Sequence, residues 1–218
     1  TMKKRLLTIY KATAEKNRLA TRIFLSVIGI ILMGFSMSIL EKLNFGTDPY
    51  TCMNNGLSLH TDISLGSWGL IISGVLFIFV IAVRAEKIGI GTLVNMVGFG
   101  YSIDFFRFMW KCLGLESFSL HPLWRVVLLA VMLVLFICAV SLYLASDLGC
   151  APYDAAPEII NELSKLKFVY VRIAWDFCAV LVGFLLGSSV GVTTLVCALG
   201  VGPAASIGKR LVKQWLDK

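Results

Sequence analysis

Long apolar stretches, interrupted at regular intervals by short polar segments, give the chain its first legible order. Residues 23–40 carry no charge and are bracketed by Arg22 and Glu41. At the helical rise of about 1.5 Å per residue such a run crosses the hydrocarbon layer. A second run covers 63–83 and closes on Arg84, Glu86 and Lys87. A third covers 88–103 and extends through Phe105, Phe106 and Trp110, and a fourth covers 126–146. From 177 to 208 there is again no charge, which is too long for one ordinary span. Gly187, Ser188, Ser189 and Gly191 punctuate it, so the pattern predicts a fifth helix over 168–187 and a sixth over 190–209.

The polar segments repeat. After the first helix the chain reads LNFGTDPYTCMNNGLS (43–58), and after the fourth it reads LGCAPYDAAPEIINEL (148–163), so that Pro49-Tyr50 aligns with Pro152-Tyr153. Each segment precedes an apolar helix and then a short turn, GIGTL (89–93) in the first half and GVTTL (191–195) in the second. Gly98 and Gly100 pair with Gly200 and Gly202 at the same offset. The order and spacing of these matches predict two related halves, about 23–111 and 123–211. Each half holds three spans, an odd number, so the second should cross the bilayer in the opposite sense to the first. The predicted fold class is an all-α polytopic membrane protein, with six transmembrane helices as two inverted three-helix repeats. The first Pro-Tyr segment would then lie at the outer face and the second at the inner face.

Composition agrees with a lipid solvent: mean hydropathy is +0.85 and only 15% of the 218 residues are charged. The net charge of +7 could suggest nucleic acid, but its distribution does not. Seven basic residues (Lys3, Lys4, Arg5, Lys11, Lys16, Arg18, Arg22) precede the first span, and four (Lys209, Arg210, Lys213, Lys218) follow the last. No aromatic-basic surface accompanies them. Placing both termini in the cytoplasm puts 16 of the 20 basic residues inside and leaves Lys42, Arg107, Lys111 and Arg125 outside. The expected organisation is a basic cytoplasmic segment over 1–22, retained rather than cleaved, a membrane domain over 23–211, and a cytoplasmic tail over 212–218. The expected location is a bacterial plasma membrane. Six scattered cysteines without a CxxC pair read as buried thiols rather than as disulfide or metal ligands.

The segments LNFGTDPYT and LGCAPYDAA after long apolar helices, each followed by a second helix and a GxGTL-like turn, resemble the YczE-like membrane proteins of bacteria, within the YczE/YyaS/YitT grouping. The resemblance extends from about 23 to 211. It implies a polytopic membrane fold and assigns no activity. Where those relatives carry Asp after the Pro-aromatic pair, Asp154 matches in the second motif, whereas Thr51 occupies the first and Asp48 precedes Pro49.

A carboxylate at membrane depth is costly unless paired or hydrated, which makes Asp176 the most informative single residue. Arg172 lies four positions earlier on the same helical face and can pair with it. That pair could lock helices together or face a wet cavity. The Pro-Tyr segments add Asp48, Tyr50, Thr51, Asn54 and Asn55 in one half and Tyr153, Asp154, Glu158 and Asn161 in the other. Proline starts helices well, so each segment could be a short half-helix, capped at the surface or folded into the membrane. Thr92 and Thr194, at the starts of two spans, could expose amides to an anion, although glycine-rich starts also permit close packing. Asp104 and Arg107 read as an interfacial pair, and His60 and His121 as isolated and solvated.

From this pattern the expected function is a small-solute secondary transporter or facilitator with a site between the repeats. Alternatives are the ligand-binding membrane component of a multi-subunit transporter and a non-transporting scaffold or assembly factor. Catalysis is not expected, since no helix presents a His-carboxylate cluster or activated nucleophile, and no nucleotide loop is present. No cofactor or metal is expected. The expected partners are the bilayer, an unidentified solute or ion and a second copy of the chain, with no nucleic acid.

Overall fold

A computed structural model describes the backbone of residues 2–115 and 121–216, and the side chains of 19–115 and 121–214. The basic side chains from Lys3 to Arg18, and Lys218, lie outside the described residues. The described chain is helical throughout: α1 Met2–Lys42, α2 Pro49–Leu59, α3 Leu65–Arg84, α4 Ile90–Cys112, α5 Pro122–Ala145, α6 Pro152–Ser164, α7 Phe168–Leu185, α8 Val192–Val196 and α9 Gly202–Leu216. A π-helical turn, Cys197–Val201, joins α8 to α9 without a break. Segments Leu19–Lys42, Leu65–Lys87, Pro122–Ala145, Phe168–Leu185 and Val192–Gln214 are long and apolar enough to cross a membrane. α4 matches them in length at 23 residues but carries Asn95, Asp104, Arg107 and Lys111, so composition does not single it out as a span.

α1 forms the centre. Its apolar stripe of Ile30, Met33, Met37 and Leu40 packs in one core with Leu129, Met132, Phe136 and Tyr143 of α5. The two helices can approach this closely because Gly29 faces the α5 backbone, where a Cβ would stand 2.8 Å from the Ala139 carbonyl and 2.9 Å from the Tyr143 amide. α4 and α9 flank this pair. Large apolar side chains point away from the bundle instead of into it, among them Phe24, Val75, Ile78, Phe105, Phe184 and Leu185. Water would penalise such a surface, and hydrocarbon does not.

The two polar turns share one backbone solution. Asn44 and Gly46 adopt positive φ before Pro49, and Asp147 and Gly149 do so before Pro152. Asn and Asp tolerate this left-handed region, and glycine enters it freely. The bonds that hold these turns run crosswise. Gly91 of α4 donates its amide to Leu148 of the second turn (2.7 Å), and Thr193 of α8 donates to Phe45 of the first (3.0 Å). The glycines of the GIGTL and GVTTL motifs permit the approach, because a Cβ on Gly89 would collide with the Leu148 carbonyl and one on Gly191 with the Phe45 carbonyl.

The Pro-Tyr segments start side by side in the interior and run to opposite ends of the bundle, Asn55 of the first reaching Arg107, and Glu158 and Glu162 of the second reaching Lys87. They form the short helices α2 and α6, whose N-terminal ends turn inward until the rings of Tyr50 and Tyr153 lie 4.9 Å apart between centroids. A proline at the first helical position explains why each helix starts there: its missing N–H needs no partner. Both Pro-Tyr ends can therefore be buried with few unsatisfied donors.

Ion pairs gather at the two ends of the bundle. At one end Arg107 grips Glu41 through Nε and Nη2, and its Nη2 also donates to Asn55 (3.0 Å). Arg107 thus joins α4 to α1 and α2, and its pairing with Asp104 is looser at 3.9 Å. Asp104 instead accepts from the Gly66 amide (2.8 Å). His60 is not isolated, since its Nε2 lies 3.0 Å from the Leu186 carbonyl, and His121 caps α5. At the other end Lys87 bridges Glu158 and Glu162 (2.8 and 3.1 Å), while Lys209 and Lys213 converge on Asp147. The six cysteines are free; Cys112, Cys138 and Cys178 are exposed on outer helix faces rather than buried.

Candidate binding cavity where two short helices meet

A cavity of about 500 Å³ opens beside the paired tyrosines. Its floor is the inward end of α2, where Asp48 caps the helix: Oδ1 accepts from the amides of Tyr50 and Thr51, both at 3.1 Å. The second oxygen of Asp48 is covered, and the Thr51 hydroxyl is the side-chain donor beside this carboxylate. Asn54, fully buried, donates back to the Tyr50 carbonyl (2.9 Å), which leaves its own side-chain oxygen unmatched.

Opposite this floor, α6 and α7 present a connected network. Asp176 is 1% exposed and accepts from the Tyr153 hydroxyl (2.8 Å) and from Arg172 Nε (2.9 Å). Arg172 reaches on to Asp154 through Nη1 (2.7 Å) and lies over the Tyr153 ring at 5.6 Å. Two carboxylates share one guanidinium, so the buried charge is paired while Asp154 stays partly accessible in the cavity. The first half answers with a neutral version. The Tyr50 hydroxyl contacts Ser73 Oγ (2.7 Å) and donates to the Gly69 carbonyl (2.6 Å), so Ser73 stands where the second half has Asp176.

Six of the candidate residues therefore converge: Asp48, Tyr50, Tyr153, Asp154 and Arg172 line the cavity, and Asp176 backs it. Thr51 and Asn54 support the floor from behind. Thr92 and Thr194 lie elsewhere. Each accepts the amide three residues before it, from Gly89 (3.1 Å) and Gly191 (3.3 Å), and each packs on the glycine of the opposite turn, Gly149 and Gly46. Glu158 of the second Pro-Tyr segment also lines the cavity, and residues outside the sequence-based set complete it: Ser73 and Asn95 are polar, and Phe99, Phe136 and Tyr143 give it an aromatic wall. The repeat register was the available signal for Ser73, since it aligns with Asp176; no signal marked Asn95.

The two halves differ in how their helices close. Gly66 of α3 lies against Gly100 of α4, where a Cβ would stand 2.8 Å from backbone, and the Asp104 bond ties that seam shut. The corresponding seam runs between α7 and α9, where Val169, Gly202 and Ser206 line the cavity and are all exposed. The mouth of the cavity is there, toward the end of the bundle that carries Lys87 and Lys209.

A bundle of long apolar helices, with its outward faces apolar and its charges drawn into an interior network, is a polytopic helical membrane protein. Within that class the chain belongs to DUF6198, a family of unknown function, whose model matches residues 20–210. It is 26% identical over 188 residues to the uncharacterized membrane protein YczE of Bacillus subtilis, covering 86% of this chain and 85% of that one. An uncharacterized protein of Haemophilus influenzae is 27% identical over 195 residues (87% and 82% covered). The uncharacterized protein YyaS of Bacillus subtilis is 27% identical over 178 residues (80% and 86%). No solved structure matches the chain.

Proposed function

We propose that this membrane protein is a small-solute secondary transporter or facilitator whose site is the cavity between its two halves. One observation carries the reading: a charged interior cavity is sealed along the Gly66–Gly100 seam and open along the equivalent seam between α7 and α9. Transport by alternating access requires such a difference, with the same element closed on one side and parted on the other. The reading counts α4 as a sixth span and treats the halves as inverted repeats. Support comes from the matched positive-φ turns, the crosswise bonds of Gly91 and Thr193, and the paired roles of Tyr50 and Tyr153. It also places both termini and the cavity mouth in the cytoplasm, in keeping with the 16 basic residues assigned to that side.

The test is a flux measurement that assumes no substrate. Proteoliposomes are loaded with a defined pool of small cationic, anionic and neutral metabolites, and retained contents are read by mass spectrometry. Protein-dependent loss of at least one component is expected, and contents matching protein-free liposomes throughout would reject transport.

A further inference from the structure

The cavity also carries information about what it holds. Among its lining residues Asp48, Asp154 and Glu158 are acidic, against the single guanidinium of Arg172. That guanidinium is already engaged by Asp154 and by Asp176 behind it. Glu158 has its own partner in Lys87 at the rim, and among the described residues no ion pair reaches Asp48. Its Oδ1 is held by two backbone amides, and the Thr51 hydroxyl is the side-chain donor beside it, so its neighbours are neutral. An anionic ligand would meet excess negative charge and find no free donor cluster, because Arg172 could turn to it only by abandoning Asp176 in the interior.

The remaining wall is apolar and aromatic. Tyr50 and Phe99 stack at 6.4 Å, Tyr50 and Tyr153 meet at 4.9 Å, and Phe136, Tyr143 and Met33 close the far side. A bare metal ion prefers several converging oxygens, and among the described residues there is no metal-ligating cluster. Aromatic faces beside carboxylates suit a cation that carries its own apolar body, attracted by charge and by the ring quadrupoles together.

Resting on the transporter reading for the site's purpose, we infer that the cavity binds a small organic cation, an amine or quaternary ammonium compound. Its charged head lies by Asp48 and Asp154, and its apolar part lies against Phe99, Phe136 and Tyr143.

The test uses purified full-length protein in detergent, with choline, tetraethylammonium and benzyltrimethylammonium as probes. Their controls are the neutral choline isostere 3,3-dimethylbutan-1-ol and the anion benzoate, and binding is read by thermal shift and equilibrium dialysis. At least one ammonium probe should bind at least about tenfold more tightly than either control. Asp48→Asn, which keeps a good N-cap and so a folded α2, should weaken that probe by about tenfold or more. Asp154→Asn provides a second variant, expected to weaken the probe in the same direction. Failure of all three probes, equal binding of the neutral isostere, preferential binding of benzoate, or unaltered affinity in both variants would overturn the inference. Ammonium binding without flux in proteoliposomes would leave the inference standing and remove the transporter reading. Flux confined to anions or neutral solutes would do the reverse.

Discussion

Tyr50 and Tyr153, the aromatic residues of the two Pro-Tyr motifs, meet at 4.9 Å, yet their hydroxyls serve unequal partners. Tyr153 donates to the buried carboxylate of Asp176, whereas Tyr50 serves a carbonyl and a serine hydroxyl. Removing a hydroxyl from a buried charged acceptor costs more than removing it from neutral groups that can regroup. Tyr153→Phe is expected to destabilise the fold by about 2 kcal/mol and Tyr50→Phe by about 1 kcal/mol. Denaturation in mixed micelles would read the difference, and a larger loss for Tyr50→Phe would contradict the unequal roles.

The carboxylates around Arg172 should likewise separate. Asp176 is 1% exposed, so its loss leaves a charged guanidinium short of its interior partner; Asp154, with a side chain 42% exposed, can exchange protein contacts for water. Asp176→Asn is expected to cost about 3 kcal/mol, and Asp154→Asn no more than about 1 kcal/mol. Comparing unfolding midpoints of the two variants with Arg172 intact checks the order.

Much of this architecture could be read from the chain because its signals are local. An uncharged run long enough for a span, a Pro-Tyr pair after each long helix, and a carboxylate four residues beyond an arginine all predict structure without knowledge of neighbours. What could not be read depends on long-range approach. The motif order points the Pro-Tyr segments toward opposite faces, but it does not show that both helices start in the interior and bury two rings against each other. Thr92 and Thr194 carried the polarity of a site, and only the crosswise contacts with Gly149 and Gly46 reveal them as caps. α4 fits a span by length, yet Asp104 and Arg107 lower its hydropathy because they face partners on α3, α1 and α2 rather than lipid.

The glycines of the crosswise turns should be intolerant in a way other glycines are not. At Gly89 and Gly191 a Cβ would meet backbone carbonyls, which cannot swing aside, whereas at Gly74 nothing lies within 4 Å. Gly89→Ala and Gly191→Ala are expected to lose about 2 kcal/mol or more, seen as reduced yield of monodisperse protein. Gly74→Ala, in mid-helix, should be neutral or stabilising by up to about 1 kcal/mol.

Acid should loosen one end of the bundle first. Burial raises the Asp147 carboxyl, but hydrogen bonds from Lys209 and Lys213 outweigh it and hold the group below its ordinary value of 3.8. A depressed folded value means that this contribution is complete above the unfolded value and fades as pH falls through the folded one. The Asp147 contribution to the melting temperature should therefore stay constant from neutral pH down to about pH 5 and decline below about pH 4. Asp147→Asn should remove this acid limb specifically, and an unchanged acid limb in that variant would refute the assignment.

The difference between the two seams makes the sharpest prediction about access. Gly66 and Asp104 close α3 on α4, while the corresponding positions on α7 and α9 are Val169 and Ser206, both lining the mouth. Val169 lacks the small size and Ser206 the acceptor charge that seal the first seam. Giving the second seam both, as Val169→Gly with Ser206→Asp, should draw α7 toward α9 and narrow the mouth. With the six native cysteines replaced, Ala198→Cys places a reporter on the cavity wall. A water-soluble maleimide should label it several-fold more slowly in the sealed variant than in the Val169, Ser206 background, at equal melting temperature. Equal rates in two folded proteins would mean that the cavity fills by another route.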